Sequence, residues 1–340
     1  MTTRPKDLAN QVRRFGDWFA GRSPLYGALC PRIAEDPDLL ALIALAQSGQ
    51  PPVNMLFGAV QDQLLRNPAV PLASHYPELA NGRAPIGDAF AAFRCFALDH
   101  LDAIAATMRS RRVQTNEPAR TALFLPALAL AYDARPLALL EIGASAGLNL
   151  LMDRYAFDYG DGRLGPANAP VTFDCEVRGD GFAPPRAVSP IAWRLGLDVR
   201  PIDVASPAER RWLRALVWPG QGERATRLET VLAIAAADPP PVRAGDASRD
   251  LDAAVAEATG DAQAVVLHAF TLNRLDDAAR RRFRAALWRA ARTRPLVRIG
   301  VEHHGGRRPA LTIERFADGR AERRRLAYSD PHGAWLEWRG

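Results

Sequence analysis

The chain has 340 residues, 48% of them hydrophobic and 24% charged, which is enough for one large or two smaller globular domains. The first residues contain no apolar segment of the signal-peptide type, and the longest apolar run, 122–131, is too short to cross a bilayer. The three cysteines, Cys30, Cys95 and Cys175, have neither disulfide nor metal-ligand spacing. We therefore expect no membrane partner, no metal site and a reducing, cytoplasmic location.

The positive charge is unevenly distributed. The formal net charge is +6, all but one of the 44 basic residues are arginine, and residues 281–340 hold 15 arginines against 6 acids. This basic C-terminal part could contact RNA or another anion. A solvated arginine surface is the simpler interpretation, because no aromatic residues alternate with the arginines in a recognisable RNA-binding motif. We favour a small-molecule partner and keep RNA as the alternative.

Residues 1–115 carry helix signals and no strand signal, so they predict a helical N-terminal cap region. Ser23 and Asp36 each precede a proline, which is the pattern of a capped helix start. Apolar residues recur every three or four positions in 53–66 and in 88–108. The intervening segment 67–87 is rich in proline, glycine and asparagine and predicts a loop.

From residue 116 the pattern changes to alternating helices and strands. A helix at 117–132, bent at Pro126, leads into a strand at 137–142 and a helix at 146–154. Short apolar strands are then predicted at 197–199, 242–244, 264–268 and 296–301. The helices between them are predicted at 207–216, 225–237, 250–258 and 276–292.

This alternation predicts that 116–340 form an α/β domain with a Rossmann-like, doubly wound parallel sheet. Residues 311–316 and 323–328 flank Asp318-Gly319 and predict a closing antiparallel hairpin. The segment 155–190 is treated as an insertion with one strand near 171–177.

The most informative segment is 137–151, in which an apolar strand containing Glu141 runs into a turn from Gly143 to Gly147. Gly-Ala-Ser-Ala-Gly fits a serine-hydrolase nucleophile elbow with Ser145 as the nucleophile. That fold needs strands before the elbow, however, and the preceding sequence is helical. A serine hydrolase therefore stays an alternative.

As Glu-x-Gly-x-x-x-Gly after a strand, the same segment resembles the first motif of class I S-adenosylmethionine-dependent methyltransferases. The resemblance implies that Glu141, Gly143, Ala144, Ser145 and Gly147 lie around S-adenosylmethionine. Ser145 replaces a glycine that the family usually has, which narrows the space above the turn.

Later segments match this resemblance in order. Asp198 in Gly-Leu-Asp-Val resembles the acid that accepts the ribose hydroxyls, although the long gap after Gly147 leaves Asp158 as a second choice. Asp246 and Ala247 resemble the motif that binds the adenine amino group. Residues 264–272 resemble the fourth strand, whose end faces the substrate.

Two histidine-containing segments and one further segment supply the remaining candidates. His268 ends the fourth strand, where it could act as a general base or be a satisfied core histidine. Glu302, at the end of the next strand, is a second candidate catalytic residue. The adjacent histidines after it point to opposite faces and do not predict a metal site. Gln114, Asn116 and Arg120 precede the sheet and form a candidate lid over the cofactor.

At the level of the whole chain, five segments resemble a bacterial family known as domain of unknown function 2332. The segments are 112–117, 141–155, 175–179, 212–219 and 330–333. That family carries no established activity. The sequence therefore predicts a methyltransferase-like protein that binds S-adenosylmethionine and acts on a small or medium acceptor. A serine hydrolase and a non-catalytic ligand-binding or scaffold protein are the alternatives.

Overall fold

A computed structural model describes residues 5–258, 260–303 and 308–339. The chain forms two compact units. The first unit comprises the residues up to Thr115 together with Ser206–Glu229, and the second comprises Asn116–Ala205 and the residues from Thr230 onward. None of the helices in the described ranges combines the length and the apolar character needed to cross a bilayer.

Twelve α-helices occur in the described residues, and many begin with proline at the first position. They are α1 (Pro5–Phe19), α2 (Pro24–Ile33), α3 (Pro37–Ile43), α4 (Pro52–Arg66), α5 (Pro77–Ala80), α6 (Ala89–Asp99), α7 (Leu101–Ser110), α8 (Thr121–Ala131), α9 (Pro207–Ala215), α10 (Gly222–Ala237), α11 (Ala247–Ala256) and α12 (Asp277–Ala291). The predicted helix at 88–108 is two helices, because the chain leaves the helical conformation at His100. The predicted loop at 67–87 contains the short helix α5 and a 3-10 turn.

The first unit is helical, as the sequence predicts, and its core is rich in aromatic rings. Tyr26 and Phe57 stack with their centroids 3.8 Å apart. The indole of Trp212, from α9, donates a hydrogen bond to the carbonyl of Arg112 at 2.8 Å and packs on Gly58. The segment containing α9 therefore completes the core of the N-terminal helices, although it lies about a hundred residues further along the chain.

Twelve strands lie among the described residues of the second unit. They are β1 (Leu137–Ile142), β2 (Ala156–Asp158), β3 (Arg163–Leu164), β4 (Thr172–Asp174), β5 (Glu176–Arg178), β6 (Ile191–Asp198), β7 (Val242–Ala244), β8 (Gln263–Ala269), β9 (Leu296–His303), β10 (Pro309–Ala317), β11 (Arg320–Ser329) and β12 (Trp335–Trp338). The main sheet has the order β7-β6-β1-β8-β9-β10-β11-β12-β5. Its first five strands are parallel, and β9 to β12 pair antiparallel.

The architecture is thus mixed α/β with a large, mostly parallel sheet, and the predicted antiparallel hairpin is present as β10 and β11. The single strand predicted near 171–177 is wrong. The chain there forms two short strands in different sheets, because β4 pairs with β2 whereas β5 pairs with β12 at the edge of the main sheet. The helix predicted at 146–154 is a 3-10 helix, Leu148–Arg154, with a kink at Leu151.

The two faces of the central strands bury different residues, because side chains alternate along a strand. Leu140 and Val266 pack with Leu251 of α11 and with Phe283 and Leu287 of α12. Helix α8 contacts β9 and β10 in the same unit. The same alternation determines, for each polar residue at the end of a strand, the face of the sheet on which its side chain lies.

Gly300 in β9 gives a test of this packing. A Cβ atom at position 300 would lie 2.3 Å from Cε1 of the buried His268 ring. We expect Gly300→Ala to lower the free energy of unfolding by about 1–3 kcal/mol, the usual cost of overpacking. Urea unfolding measures it, with Gly21→Ala as the control because no atom lies within 4 Å of its added Cβ. Equal stability of the two variants would contradict the packing described here.

Candidate functional site

The candidate site lies at the carboxyl ends of the parallel strands. In the main sheet, β6 and β7, the next parallel strands along the chain, lie on one side of β1. The later strands β8 and β9 lie on its other side. In open parallel sheets, ligands bind beside the carboxyl ends at the point where the strand order reverses. That point is between β1 and β8, directly above the turn that follows β1.

The turn from Gly143 to Gly147 has three residues with positive φ. The φ angles are +70° at Gly143, +55° at Ser145 and +71° at Gly147. A Cβ atom at Gly143 would lie 2.3 Å from Oγ1 of Thr271, and one at Gly147 would lie 2.6 Å from Val242. The two glycines are therefore required by close packing of this chain, as well as by the backbone conformation. Ser145 adopts the left-handed conformation at a cost that glycine would not carry.

Asp198, the last residue of β6, organises this turn. Its Oδ2 accepts a hydrogen bond from the N–H of Ser145 at 2.8 Å, and its Oδ1 accepts one from the N–H of Arg200 at 2.8 Å. Asp158 ends β2 in the smaller sheet, where it accepts a hydrogen bond from the N–H of Gly160. The structure therefore brings Asp198 to the turn and places Asp158 in a different sheet.

Glu141 is a buried acid with an incomplete set of hydrogen bonds. Glu141 is only 2% exposed to solvent. Its Oε1 accepts a hydrogen bond from Nδ2 of Asn149 at 2.6 Å. Among the described residues, Oε2 of Glu141, Oδ1 of Asn149 and Oγ of Ser145 have no hydrogen-bond partner. Burial raises the pKa of Glu141 to about 8.

Asn149 is a residue that the sequence did not single out. It lies in the 3-10 helix after the turn, and that helix places the Asn149 amide against Glu141. The one signal in the sequence is a polar residue within the otherwise apolar segment Leu148–Leu151, which reads Leu-Asn-Leu-Leu. Such a residue needs a partner in the core.

The three predicted lid residues do not all belong to the same unit. Oδ1 of Asn116 accepts a hydrogen bond from the N–H of Leu148 at 3.1 Å, so Asn116 holds the start of the 3-10 helix. The Arg120 guanidinium lies 4.6 Å from the ring centroid of Phe270, and its Nε donates to the carbonyl of Pro331 at 2.8 Å. Gln114 belongs to the first unit.

Asp246 and Ala247 lie at the start of α11, directly after β7. Asp246 caps this helix by accepting a hydrogen bond from the N–H of Ser248 at 2.8 Å. The N–H of Gly245 donates to the carbonyl of Asp198 at 2.9 Å, which ties the ends of β6 and β7 together. Both residues of the predicted adenine motif are half-buried.

His268 and Glu302 form a buried pair on the α12 side of the sheet. Nδ1 of His268 lies 2.8 Å from Oε1 of Glu302, and the imidazole meets the Phe283 ring edge-on. Burial lowers the pKa of His268. Burial acts against ionisation of Glu302 as well, but the hydrogen bond from His268 and the backbone N–H groups of Leu272 and Thr271 lower the pKa of this carboxyl. The pair is thus a neutral imidazole that donates from Nδ1 to a carboxylate.

Glu302 also fixes the turn that follows β8. It accepts hydrogen bonds from the N–H groups of Thr271, Leu272 and Asn273 at 2.9, 3.0 and 3.3 Å. Oγ1 of Thr271 in turn donates to the carbonyl of Ile142 at 3.1 Å. The His268–Glu302 pair therefore holds the segment that closes over Gly143.

Phe270, in the same turn, is a site residue that the sequence did not predict. It has a φ of +53°, which is rare for a bulky side chain. The Arg120 guanidinium lies over its ring, and the centroid of the His303 imidazole is 5.1 Å from the ring centroid. Backbone strain of this kind is concentrated at functional sites.

The geometry does not support a serine nucleophile. Oγ of Ser145 and Nε2 of His268 are both buried and have no hydrogen-bond partner in the part of the chain that the structure describes. The two atoms are therefore not joined in a serine–histidine pair, which the nucleophile of a hydrolase requires. The positive φ of Ser145 is the one elbow-like feature that is present.

Across residues 5–258, 260–303 and 308–339, no three histidine, cysteine, aspartate or glutamate side chains are grouped so that they could hold a metal ion. His303 is exposed, and His304 lies outside the described residues.

The raised pKa of Glu141 predicts a pH dependence of stability. The folded state holds this proton up to a pH of about 8, whereas the unfolded chain releases it near 4.5. The free energy of unfolding should therefore fall as pH rises through this window, by up to about 1.4 kcal/mol per pH unit. In Glu141→Gln this decrease should be absent. Urea unfolding at several pH values measures it, and an identical slope in both proteins would refute the burial effect.

Glu302 should behave in the opposite way. Its ionised form is stabilised in the folded state, so its contribution is present above pH 4.5 and is lost as pH falls through the lowered folded pKa. At neutral pH we expect Glu302→Gln to cost about 1.5–3 kcal/mol of stability, because it weakens charge-assisted hydrogen bonds. Glu322→Gln on the exposed part of β11 is the control and should be neutral. A silent Glu302→Gln would show that the carboxylate does not hold the turn.

The comparisons with known proteins give one match. The family described as "Uncharacterized protein conserved in bacteria (DUF2332)" matches residues 9–338, which is nearly the whole chain. No curated protein and no solved structure gives a match. The chain belongs to the bacterial DUF2332 family.

Proposed function

We propose that the second unit binds S-adenosylmethionine as a methyltransferase-like protein, at the carboxyl ends of β1, β6 and β7. The observation that carries the proposal is an acid within two residues of the end of each of these three adjacent strands: Glu141, Asp198 and Asp246. The strand order β7-β6-β1-β8-β9 is also that of a dinucleotide-binding sheet, 3-2-1-4-5.

The polar atoms beside the turn fit such a cofactor. Glu141, Ser145 and Asn149 each have a buried oxygen without a partner among the described residues. Unpaired buried polar atoms are costly, and a ligand that carries hydrogen-bonding groups would satisfy them. Ser145, in place of glycine, thus adds a hydroxyl at the turn rather than only taking up space.

Entry of a ligand would require the covering segment to move. Glu141, Ser145 and Asn149 are at most 5% exposed. Asn116 and Arg120 hold the segment before α8 against the 3-10 helix and Phe270. These contacts support the proposal that residues 116–120 act as a lid.

In this proposal Glu141 and Asn149 bind the amino acid portion of the cofactor, and Asp246 with Ala247 binds the adenine. Asp198 accepts two backbone hydrogen bonds, which fixes the orientation of its carboxylate. In this proposal the same carboxylate would hold the ribose. When bound, the cofactor supplies an electrophilic methyl group for a small or medium acceptor. The contribution of the protein is to orient the reactants and to exclude water.

In this proposal His268 is a positioning residue, which holds a turn beside the cofactor site. Its Nε2 is unprotonated, which is the state that a general base needs, but the residue is 1% exposed. With Glu302 it holds the turn 271–273 next to Gly143. Burial of the imidazole favours the second candidate, a ligand-binding protein without catalysis. The two candidates differ in whether the loaded protein produces S-adenosylhomocysteine when bacterial metabolites are added.

Calorimetric titration with S-adenosylmethionine and S-adenosylhomocysteine tests the proposal. We expect both to bind, and Asp246→Ser to weaken both by about 1–3 kcal/mol through loss of hydrogen bonds to adenine. Serine retains the helix cap at this position, so the variant should fold. Asp252→Ser on the same helix is the control and should bind normally, because Asp252 pairs with Arg289 instead.

Two results would count against the proposal. Folded protein that binds neither ligand would exclude the cofactor. Binding that is unchanged in Asp246→Ser would exclude the adenine assignment while leaving the cofactor itself in place.

A further inference from the structure

One side of α12 carries an aromatic ring between arginines. Trp288 follows Arg281 by seven residues and precedes Arg292 by four, so all three lie on the same side of the helix. Arg281 and Arg292 are exposed, and Trp288 is half-buried. The indole meets the Phe316 ring of β10 edge-on, with centroids 5.0 Å apart, which fixes its orientation.

A groove lies between the end of α12 and the turn that joins β10 to β11. Its volume is about 340 Å³, and its lining is Trp288, Ala291, Arg292, Ala317 and Gly319. We call this the α12 groove. Trp288 is its one aromatic lining residue, and the exposed Arg320 follows Gly319 directly.

Arg292 lines the α12 groove, Arg320 follows its lining residue Gly319, and Arg281 lies about two helical turns from Trp288 along α12. These three arginines differ from two others on α12. Arg289 pairs with Asp252, and Arg284 pairs with Glu314. Arg281, Arg292 and Arg320 make no ion pair with any residue of the described ranges. Asp318, in the hairpin turn, is the acid nearest to the groove in sequence. The exposed positive charge at the groove therefore exceeds the negative charge.

The α12 groove lies away from the proposed cofactor site. Phe316, near the end of β10, pairs with Leu296, the first residue of β9. The hairpin turn after β10 is therefore at the amino ends of the parallel strands. The turn 143–147 is at their carboxyl ends, so a ligand in the groove would be independent of S-adenosylmethionine.

We propose that the α12 groove binds single-stranded nucleic acid, with a base against Trp288 and phosphates paired with Arg281, Arg292 and Arg320. Single-strand binding surfaces combine an aromatic ring, on which a base stacks, with cations that follow the backbone. A duplex cannot present an unpaired base to a concave groove of this size, and a flat bilayer surface does not enter such a groove.

Fluorescence anisotropy with a labelled, mixed-sequence RNA of about 12 nucleotides tests the proposal, at salt concentrations from about 50 to about 200 mM. We expect the double variant Arg292→Gln, Arg320→Gln to weaken binding about tenfold or more at the lowest salt. The slope of log affinity against log salt should fall by about 1.4, because two phosphate contacts are lost.

The control is the double variant Arg14→Gln, Arg186→Gln. It changes the net charge equally at two exposed arginines that lie outside α12 and the hairpin, and its affinity should stay within about twofold. Trp288→Leu should weaken binding about fivefold or more without a change in salt slope, because it removes stacking and no charge. Thermal unfolding checks that Trp288→Leu folds. If it does not fold, the double variant Arg292→Gln, Arg320→Gln still tests the groove.

Several results would overturn the proposal. These are no RNA binding at low salt, equal weakening by the control pair, and duplex binding as tight as single-strand binding. Tighter binding to phosphatidylserine vesicles than to RNA, lost in the same arginine pair, would identify a membrane surface instead. RNA affinity that is unchanged by saturating S-adenosylhomocysteine would support a site independent of the cofactor, and competition between the two ligands would contradict that independence.

Discussion

Backbone N–H groups at the carboxyl ends of the central strands are satisfied by two buried carboxylates, Asp198 and Glu302. Asp198 binds the turn after β1 and the second residue after its own strand, Arg200. Glu302 binds three successive N–H groups after β8. The hydrogen bond of the Ser145 N–H is buried and the other four are partly buried. Loss of the acceptors would therefore destabilise both turns. The two carboxylates therefore make possible the tight turns in which Gly143 and Thr271 come into contact, and every candidate site residue of the second unit at these strand ends depends on that arrangement.

Glu141 differs from these two acids in a way that points to a ligand. Asp198 and Glu302 accept several hydrogen bonds, whereas one oxygen of Glu141 has no partner within the described residues and burial raises its pKa to about 8. A structural acid would be expected to have a complete set of donors. The turn after β1 is thus flanked by one acid that stabilises the fold, Asp198, and by another that the fold leaves incomplete, Glu141. The second is the better candidate for binding.

The sequence predicted the parts of this arrangement that depend on local signals. The strand 137–142, the glycine turn and the hairpin around Asp318-Gly319 were evident from periodicity and turn residues. The pairing of Asn149 with Glu141 and the separation of β4 from β5 depend on contacts distant in sequence, which no local pattern encodes. The proximity of Trp288 to arginines is not evident from the sequence either. Trp288 is separated from Arg281 and Arg292 by several residues, and the three come to the same side only when the segment forms a helix.

We propose that Glu141, Asn149 and the turn after β1 form a ligand site rather than a purely structural junction. A crystal structure of the protein grown with S-adenosylhomocysteine tests this most directly. We expect ligand density at residues 143–147, with hydrogen bonds between the ligand and the oxygens of Glu141 and Asn149 that have no partner among the described residues. Ligand density at another place, or an unchanged turn with only water on these oxygens in protein saturated with ligand, would contradict it.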